Sequence, residues 1–261
     1  MSNIERVDRK TLFTLVVTFF LTWGWVAFCW WTGFLARGPL AVVMYAVSMW
    51  VPGLVAIRAA RREGMHLPIF HMGGYLAAGL LALLVAIVAV GFGVLLGGPF
   101  AAPPRLLLLA LVALVAGLTF NPLLAVGEEL MWRGYLWQKV SHLGPIRSVL
   151  LIGSIWGVWH APMILLGHNY PGHPVIGVMM MVIFCVAITP LINWIRSRSG
   201  GVAAPAAFHG TINATGGLVL ACFPGADPLI FGLPGVVGVL SCLAVLVVPL
   251  VVRGVLLRSS Q

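Results

Sequence analysis

Two adjacent carboxylates stand in a run that is otherwise almost wholly apolar: Val126-Gly127-Glu128-Glu129-Leu130-Met131-Trp132-Arg133. An ionisable group in such a run is costly to keep inside a membrane and is a functional candidate by default. The plainer reading is a structural ion pair that locks helices together. Helical geometry divides the two acids. Residues advance by about 100°, so Glu129 and Arg133, at i and i+4, share a face. Glu128 sits about 140° from Arg133 and points elsewhere. Arg133 therefore neutralises Glu129 and leaves Glu128 free for general acid–base work.

Two histidines also lie in apolar runs. His160 ends Trp156-Gly157-Val158-Trp159-His160, and His209 opens His209-Gly210-Thr211-Ile212-Asn213. A lone histidine of this kind is more often a satisfied packing residue. Depth argues otherwise here. Gly144-Pro145 marks a turn, with Glu128 16 residues before Gly144 and His160 16 after it. In an antiparallel hairpin both lie about 24 Å of helix from the turn. His209 is 8 residues beyond Gly201, or roughly 12 Å, and Asn213 is one turn deeper on the same face. Three segments thus offer Glu, His, and His with Asn towards one cavity.

The elements that carry these residues are membrane helices. Of the 261 residues, 61% are hydrophobic and 8% are charged, and mean hydropathy is +1.07. A soluble domain has about a quarter of its residues charged. A soluble enzyme, a disordered chain and a disulfide scaffold are therefore excluded. Cys29, Cys185, Cys222 and Cys242 lie in apolar runs without C-x-x-C spacing and read as buried small residues. The fold class is all-α and polytopic, with one integral-membrane domain over 1–261. A span needs about 20 apolar residues. Eight candidates follow: about 11–36, 39–59, 74–97, 105–140, 146–166, 174–195, 201–222 and 233–257. Arg37-Gly38-Pro39, Gly97-Gly98-Pro99 and Arg196 to Gly201 supply breaks between them. Pro122 and Gly127 are expected to kink the long fourth span. Gly93 and Gly97 form a helix-packing notch in the third. The first span, with Arg6, Arg9 and Lys10 before it, is a retained helix rather than a signal peptide.

The net charge of +9 reads as membrane orientation, not nucleic-acid binding. With the N-terminus cytoplasmic, Arg6, Arg9, Lys10, Arg58, Arg61, Arg62, Lys139, Arg147, Arg196, Arg198, Arg253 and Arg258 fall inside. Only Arg37 and Arg105 fall outside. Eight spans with both termini cytoplasmic follow. His66, His71 and His142 fall in inner loops; His168 and His173, with Asn169 and Tyr170, fall in an outer loop and read as solvated. Trp23, Trp25, Trp30 and Trp31 read as interface belt or packing.

The sequence resembles the CAAX protease and bacteriocin-processing (CPBP, or Abi) family of intramembrane proteases, which includes the type II CAAX prenyl endopeptidases. The family pattern is E-E-x-x-x-R, then F-x-x-x-H, then H-x-x-x-N. Glu128-Glu129 with Arg133 matches the first part, and His209 with Asn213 the third. Trp156 with His160 matches the second, with Trp for Phe. The motifs fall within residues 120–220. The resemblance implies an eight-helix fold with a cavity open to the cytoplasmic side of the cell membrane. It implies that Glu128 and His160 activate a water and that His209 and Asn213 stabilise an oxyanion. Glu129 and Arg133 support them. It also implies a peptide or protein substrate, lipid-modified for CAAX tails, or a leader or sorting signal. Membrane lipids are the other partner.

No cofactor is expected. The competing expectation is zinc or another divalent cation on Glu128, His160 and His209; the lack of H-E-x-x-H and the nearby Arg133 count against it. A proton-coupled transporter with the Glu pair as relay is the second class. A non-catalytic bacteriocin-immunity or scaffold protein on the same fold is the third.

Overall fold

The computed structural model describes residues 8–34, 39–69 and 71–248. Arg6, Arg37, Gly38, Arg253 and Arg258, which enter the charge and boundary arguments, lie outside the described residues. So does the end of the expected last span.

Every regular element among the described residues is helical. Helix α1 (Arg9–Trp31) is capped by Asp8, whose carboxylate accepts from the Thr11 amide at 2.6 Å. Thr11, Thr14, Thr18 and Thr22 fall on one face of α1 and are buried. The Thr14 and Thr18 hydroxyls return to carbonyls four residues back, so neither is left unpaired in the apolar surroundings. Phe13, Phe20, Trp30 and Trp31 face outward. The same inversion shapes α3 (Tyr75–Leu95), where Ala78, Gly79, Ala82, Ala86 and Ala89 are buried and Leu76, Leu80 and Ile87 are exposed. Small residues let helix backbones approach, while large apolar ones meet the acyl chains.

With α2 (Pro39–Glu63) and α9 (Pro174–Ser199), five helices among the described residues are long and apolar enough to cross a membrane. The fifth combines α11 (Pro228–Phe231) with α12 (Val236–Val245). A sixth is added if α4 (Leu106–Leu118) and its continuation to Leu143 form one bent span. The described residues are thus all-helical, and the protein is a multi-pass membrane protein.

The expected fourth span is not one helix. It turns by 47° between α4 and α5 (Phe120–Glu129). Pro122 has no N–H for the Leu118 carbonyl and its ring crowds that oxygen, so the break falls upstream, at Thr119. The Tyr75 hydroxyl donates to the freed Leu118 carbonyl at 2.9 Å. Gly127, expected to kink the helix, instead packs it: a Cβ there would strike the Met49 carbonyl, and one on Gly53 would lie 2.7 Å from the Gly127 oxygen. After Glu129 the chain widens into a π-helical segment, Leu130–Leu136, before α6 (Trp137–Val140).

The expected fifth span is also broken. Helix α7 (Pro145–Trp159) stops at His160, and α8 (Ala161–Leu165) follows. Pro162 cannot donate to the Val158 carbonyl, which ends α7 just before it. The Gly93 and Gly97 pair is only half a notch: a Cβ on Gly93 would hit the Phe223 ring, whereas Gly97 adopts φ +76° and terminates α3.

The connections sort onto two faces. Lys139, near the end of α6, bonds both Asp8 and Glu63, joining the start of α1 and the end of α2. The Val202 amide, at the start of α10 (Ala203–Ala221), donates to the Pro68 carbonyl. On the other face the Tyr170 hydroxyl donates to the Pro234 carbonyl, and the His168 ring lies 4.5 Å from that of Tyr45, tilted by 36°.

Candidate active site

Glu128 and Glu129 are the last two residues of α5, immediately before the π segment. Such widened turns recur at functional sites. Both carboxylates and Arg133 are buried. The Arg133 guanidinium donates to Glu129 Oε1 at 3.1 Å and to Thr189 Oγ1 at 3.3 Å, so the i, i+4 pairing holds despite the π geometry. The π turn's Arg133 carbonyl accepts from Arg196 Nε at 3.1 Å.

Glu128 points the other way, as the helical phase predicts. Its Oε2 accepts from the indole N–H of Trp156 at 2.7 Å. Trp156 is the hub of the site. The Arg133 guanidinium lies 4.3 Å from its ring centre, and the His160 and His209 rings lie 5.7 and 5.2 Å away. In the sequence Trp156 is only an aromatic standing for the pattern's Phe. The structure gives it a hydrogen bond that Phe cannot make, and the indole N–H is the signal in the sequence that marks the difference.

The end of α7 frees the Trp156 carbonyl, and His160 Nδ1 takes it at 2.9 Å. A carbonyl only accepts, so Nδ1 carries the proton. In the neutral ring Nε2 then holds a lone pair. His209 is fixed differently. Its Nδ1 lies 2.9 Å from Glu129 Oε1, the oxygen that also receives Arg133. The carboxylate accepts, so Nδ1 donates and Nε2 is the nitrogen left for a ligand.

Close backbone approaches hold these groups in register. Gly153 and Gly157 of α7 lie against α9: a Cβ on Gly153 would be 2.6 Å from Val186 Cα, and one on Gly157 2.5 Å from Val182 Cα. This G-x-x-x-G, not that of Gly93 and Gly97, is the tight helix notch beside the site. Next to His209, a Cβ on Gly210 would be 2.7 Å from the Pro122 nitrogen. The Asn121 amide donates to the Gly210 carbonyl at 3.1 Å.

Glu128, His160, His209 and Asn213 line one cavity of about 440 Å³, within the size range of ligand pockets. Asn213 is exposed to it and makes no hydrogen bond among the described residues. Met181, Phe184 and Ile188 of α9 form an apolar wall. His168 and Asn169 also line the cavity, which corrects the expectation of solvated loop residues. His173 pairs with Asp227 at 3.0 Å and Tyr170 is fully buried, so this loop is tied down. Trp23 is not a belt residue alone: its indole donates to the Trp159 carbonyl at 3.1 Å. The cavity runs from His209 towards the loops at His168 and Pro234, away from the face that holds Lys139.

Among the described residues no group of three or more His, Cys, Asp and Glu side chains is placed to hold a metal ion. All four cysteines are buried and unpaired.

Residues 102–215 match the family described as type II CAAX prenyl endopeptidase, Rce1-like. The matched segment contains all three motifs, and the match agrees with the family that the motifs indicate. It supports a CAAX-type intramembrane protease, a hydrolase acting on a peptide or protein. No curated protein matches the chain.

Proposed function

We propose that this protein cleaves a peptide bond within the membrane by glutamate- and histidine-assisted attack of water. The observation that carries the reading is the convergence of Glu128, His160, His209 and Asn213 on one cavity inside the matched segment. With Oε2 of Glu128 engaged by Trp156, the other carboxylate oxygen takes a proton from water. His160 Nε2 accepts a second hydrogen bond from that water and orients it. The water oxygen adds to the substrate carbonyl, whose oxygen becomes the oxyanion. The Asn213 amide and His209 Nε2 donate to it. For His209 to donate there while Nδ1–H serves Glu129, the ring carries both protons, and its charge and that of Arg133 stand against the two carboxylates, Glu129 and Glu128. Collapse breaks the C–N bond, and the proton held by Glu128 passes to the leaving amine.

No step needs a metal. The rival reading puts zinc on Glu128, His160 and His209, and it predicts one zinc per chain and loss of activity on chelation. The transporter and scaffold readings find no comparable support in the family match.

The finer topology belongs to the same proposal: eight spans, α7 with α8 and α10 among them, forming one integral domain in the cell membrane. The basic face, with both termini, is cytoplasmic by the positive-inside rule. The cavity then opens towards the opposite side. The support for this opening is that the cavity reaches the loops at His168 and Pro234, whereas Lys139 and its partners lie at the other face. A CAAX-type tail, prenylated or not, and a leader or sorting signal remain the candidate substrates. Mass spectrometry of membranes carrying wild type or Glu128→Gln identifies the product: a peptide present only with wild type supports the reading. Identical peptide sets would remove it.

A further inference from the structure

A second cleft, of about 410 Å³, lies between α1 and α2 on the face that holds Lys139, well away from Glu128. Its residues follow an order along both helices. Arg9 and Lys10 on α1 and Arg58 and Arg62 on α2 stand at the outer end. One turn deeper α1 presents Phe13, and a further turn deeper Val17; α2 presents Val55 at the same inner end. The cleft is therefore cationic at the membrane face and apolar where it enters the bilayer.

The positive-inside rule accounts for cations near this face, but not for four of them converging on a cavity with an apolar floor. Glu63, the acid in the cleft wall, does not neutralise them. Its carboxylate is taken by Lys139 and by the Tyr135 hydroxyl. Among the described residues no ion pair engages Arg9, Lys10, Arg58 or Arg62, whereas Lys139 is paired twice. Guanidinium groups match phosphate oxygens in a fork geometry. Basic pockets between membrane helices bind anionic headgroups. An anion on an acyl chain fits this gradient better than a free ion, which would leave Phe13, Val17 and Val55 uncovered.

We propose that the α1–α2 cleft binds an anionic phospholipid, with its phosphate on Arg58, Arg62, Arg9 and Lys10 and an acyl chain along Phe13 and Val17. The site is independent of the peptidase chemistry, so its failure leaves that reading untouched.

Native mass spectrometry of the detergent-purified full chain tests it, with phosphatidylglycerol and phosphatidylcholine of matched acyl chains as probes. Retention of phosphatidylglycerol over phosphatidylcholine is expected. R58Q/R62Q should weaken it about 25-fold, from roughly fivefold per interfacial cation. R61Q is the control, because Arg61 is exposed on the same turn but does not line the cleft. R61Q should retain phosphatidylglycerol as wild type does. No preference between the two lipids, or an equal loss in R61Q and R58Q/R62Q, overturns the site. Inorganic phosphate at millimolar concentration separates the anion's source. Phosphatidylglycerol that resists it supports the lipid, and displacement by phosphate alone overturns it.

Discussion

The division between the two adjacent carboxylates is the decisive feature at the scale of single residues. Glu129 is consumed by Arg133 and His209, whereas Glu128 accepts one hydrogen bond among the described residues, from the Trp156 indole. A hydrogen bond to a charged group contributes about 1.5–3 kcal/mol. Trp156→Phe keeps the ring but loses that donor, so kcat should fall about tenfold or more with KM little changed. Wild-type kinetics in Trp156→Phe would reduce the indole to packing. Asn213→Ala should lower kcat by about 10²–10³ while substrate affinity stays near wild type, as for an oxyanion donor; a rise in KM alone would make Asn213 a ground-state contact. The phase of Glu128, Glu129 and Arg133 was legible in the sequence because i, i+4 geometry survives a local π turn. The fixing of His209 by Glu129 was not, because it joins residues 80 positions apart.

At the scale of elements, prolines and glycines decide where the site forms. Pro122 and Pro162 each break a helix a few residues upstream, which a sequence window reads as one continuous apolar span. Gly153 and Gly157 of α7 are spaced by four, but only the contact with Val182 and Val186 shows which partner they meet. Gly157→Val should push α7 from α9 and destabilise the fold by about 1–3 kcal/mol. A lowered thermal midpoint in detergent, together with lost cleavage, is the expected result. An unchanged midpoint would mean that α7 is not seated at this notch. The equivalent change at Gly91, where a Cβ meets open space, should be mild.

For the whole molecule, charge and cavity point to opposite faces. The four native cysteines are buried, so an introduced thiol reports its side of the membrane with little background. Asn169→Cys, in the loop at the cavity mouth, should react with a membrane-impermeant maleimide added outside intact cells. Reaction only after lysis would invert the orientation and return the cavity to the cytoplasm. Composition alone made the membrane class legible, because 8% charged residues cannot cover a water-facing surface. The number of spans was less so: broken helices such as α4–α5 and α7–α8 fall outside a rule built on continuous runs. The central claim is that the Glu128 carboxylate activates the attacking water. Its most direct measurement is cleavage of a C-terminal CAAX peptide by purified protein in proteoliposomes, wild type against Glu128→Gln, with both variants matched for thermal midpoint. The account predicts turnover by wild type and a loss of at least ~10²-fold in Glu128→Gln. Turnover by folded Glu128→Gln at the wild-type rate would contradict it.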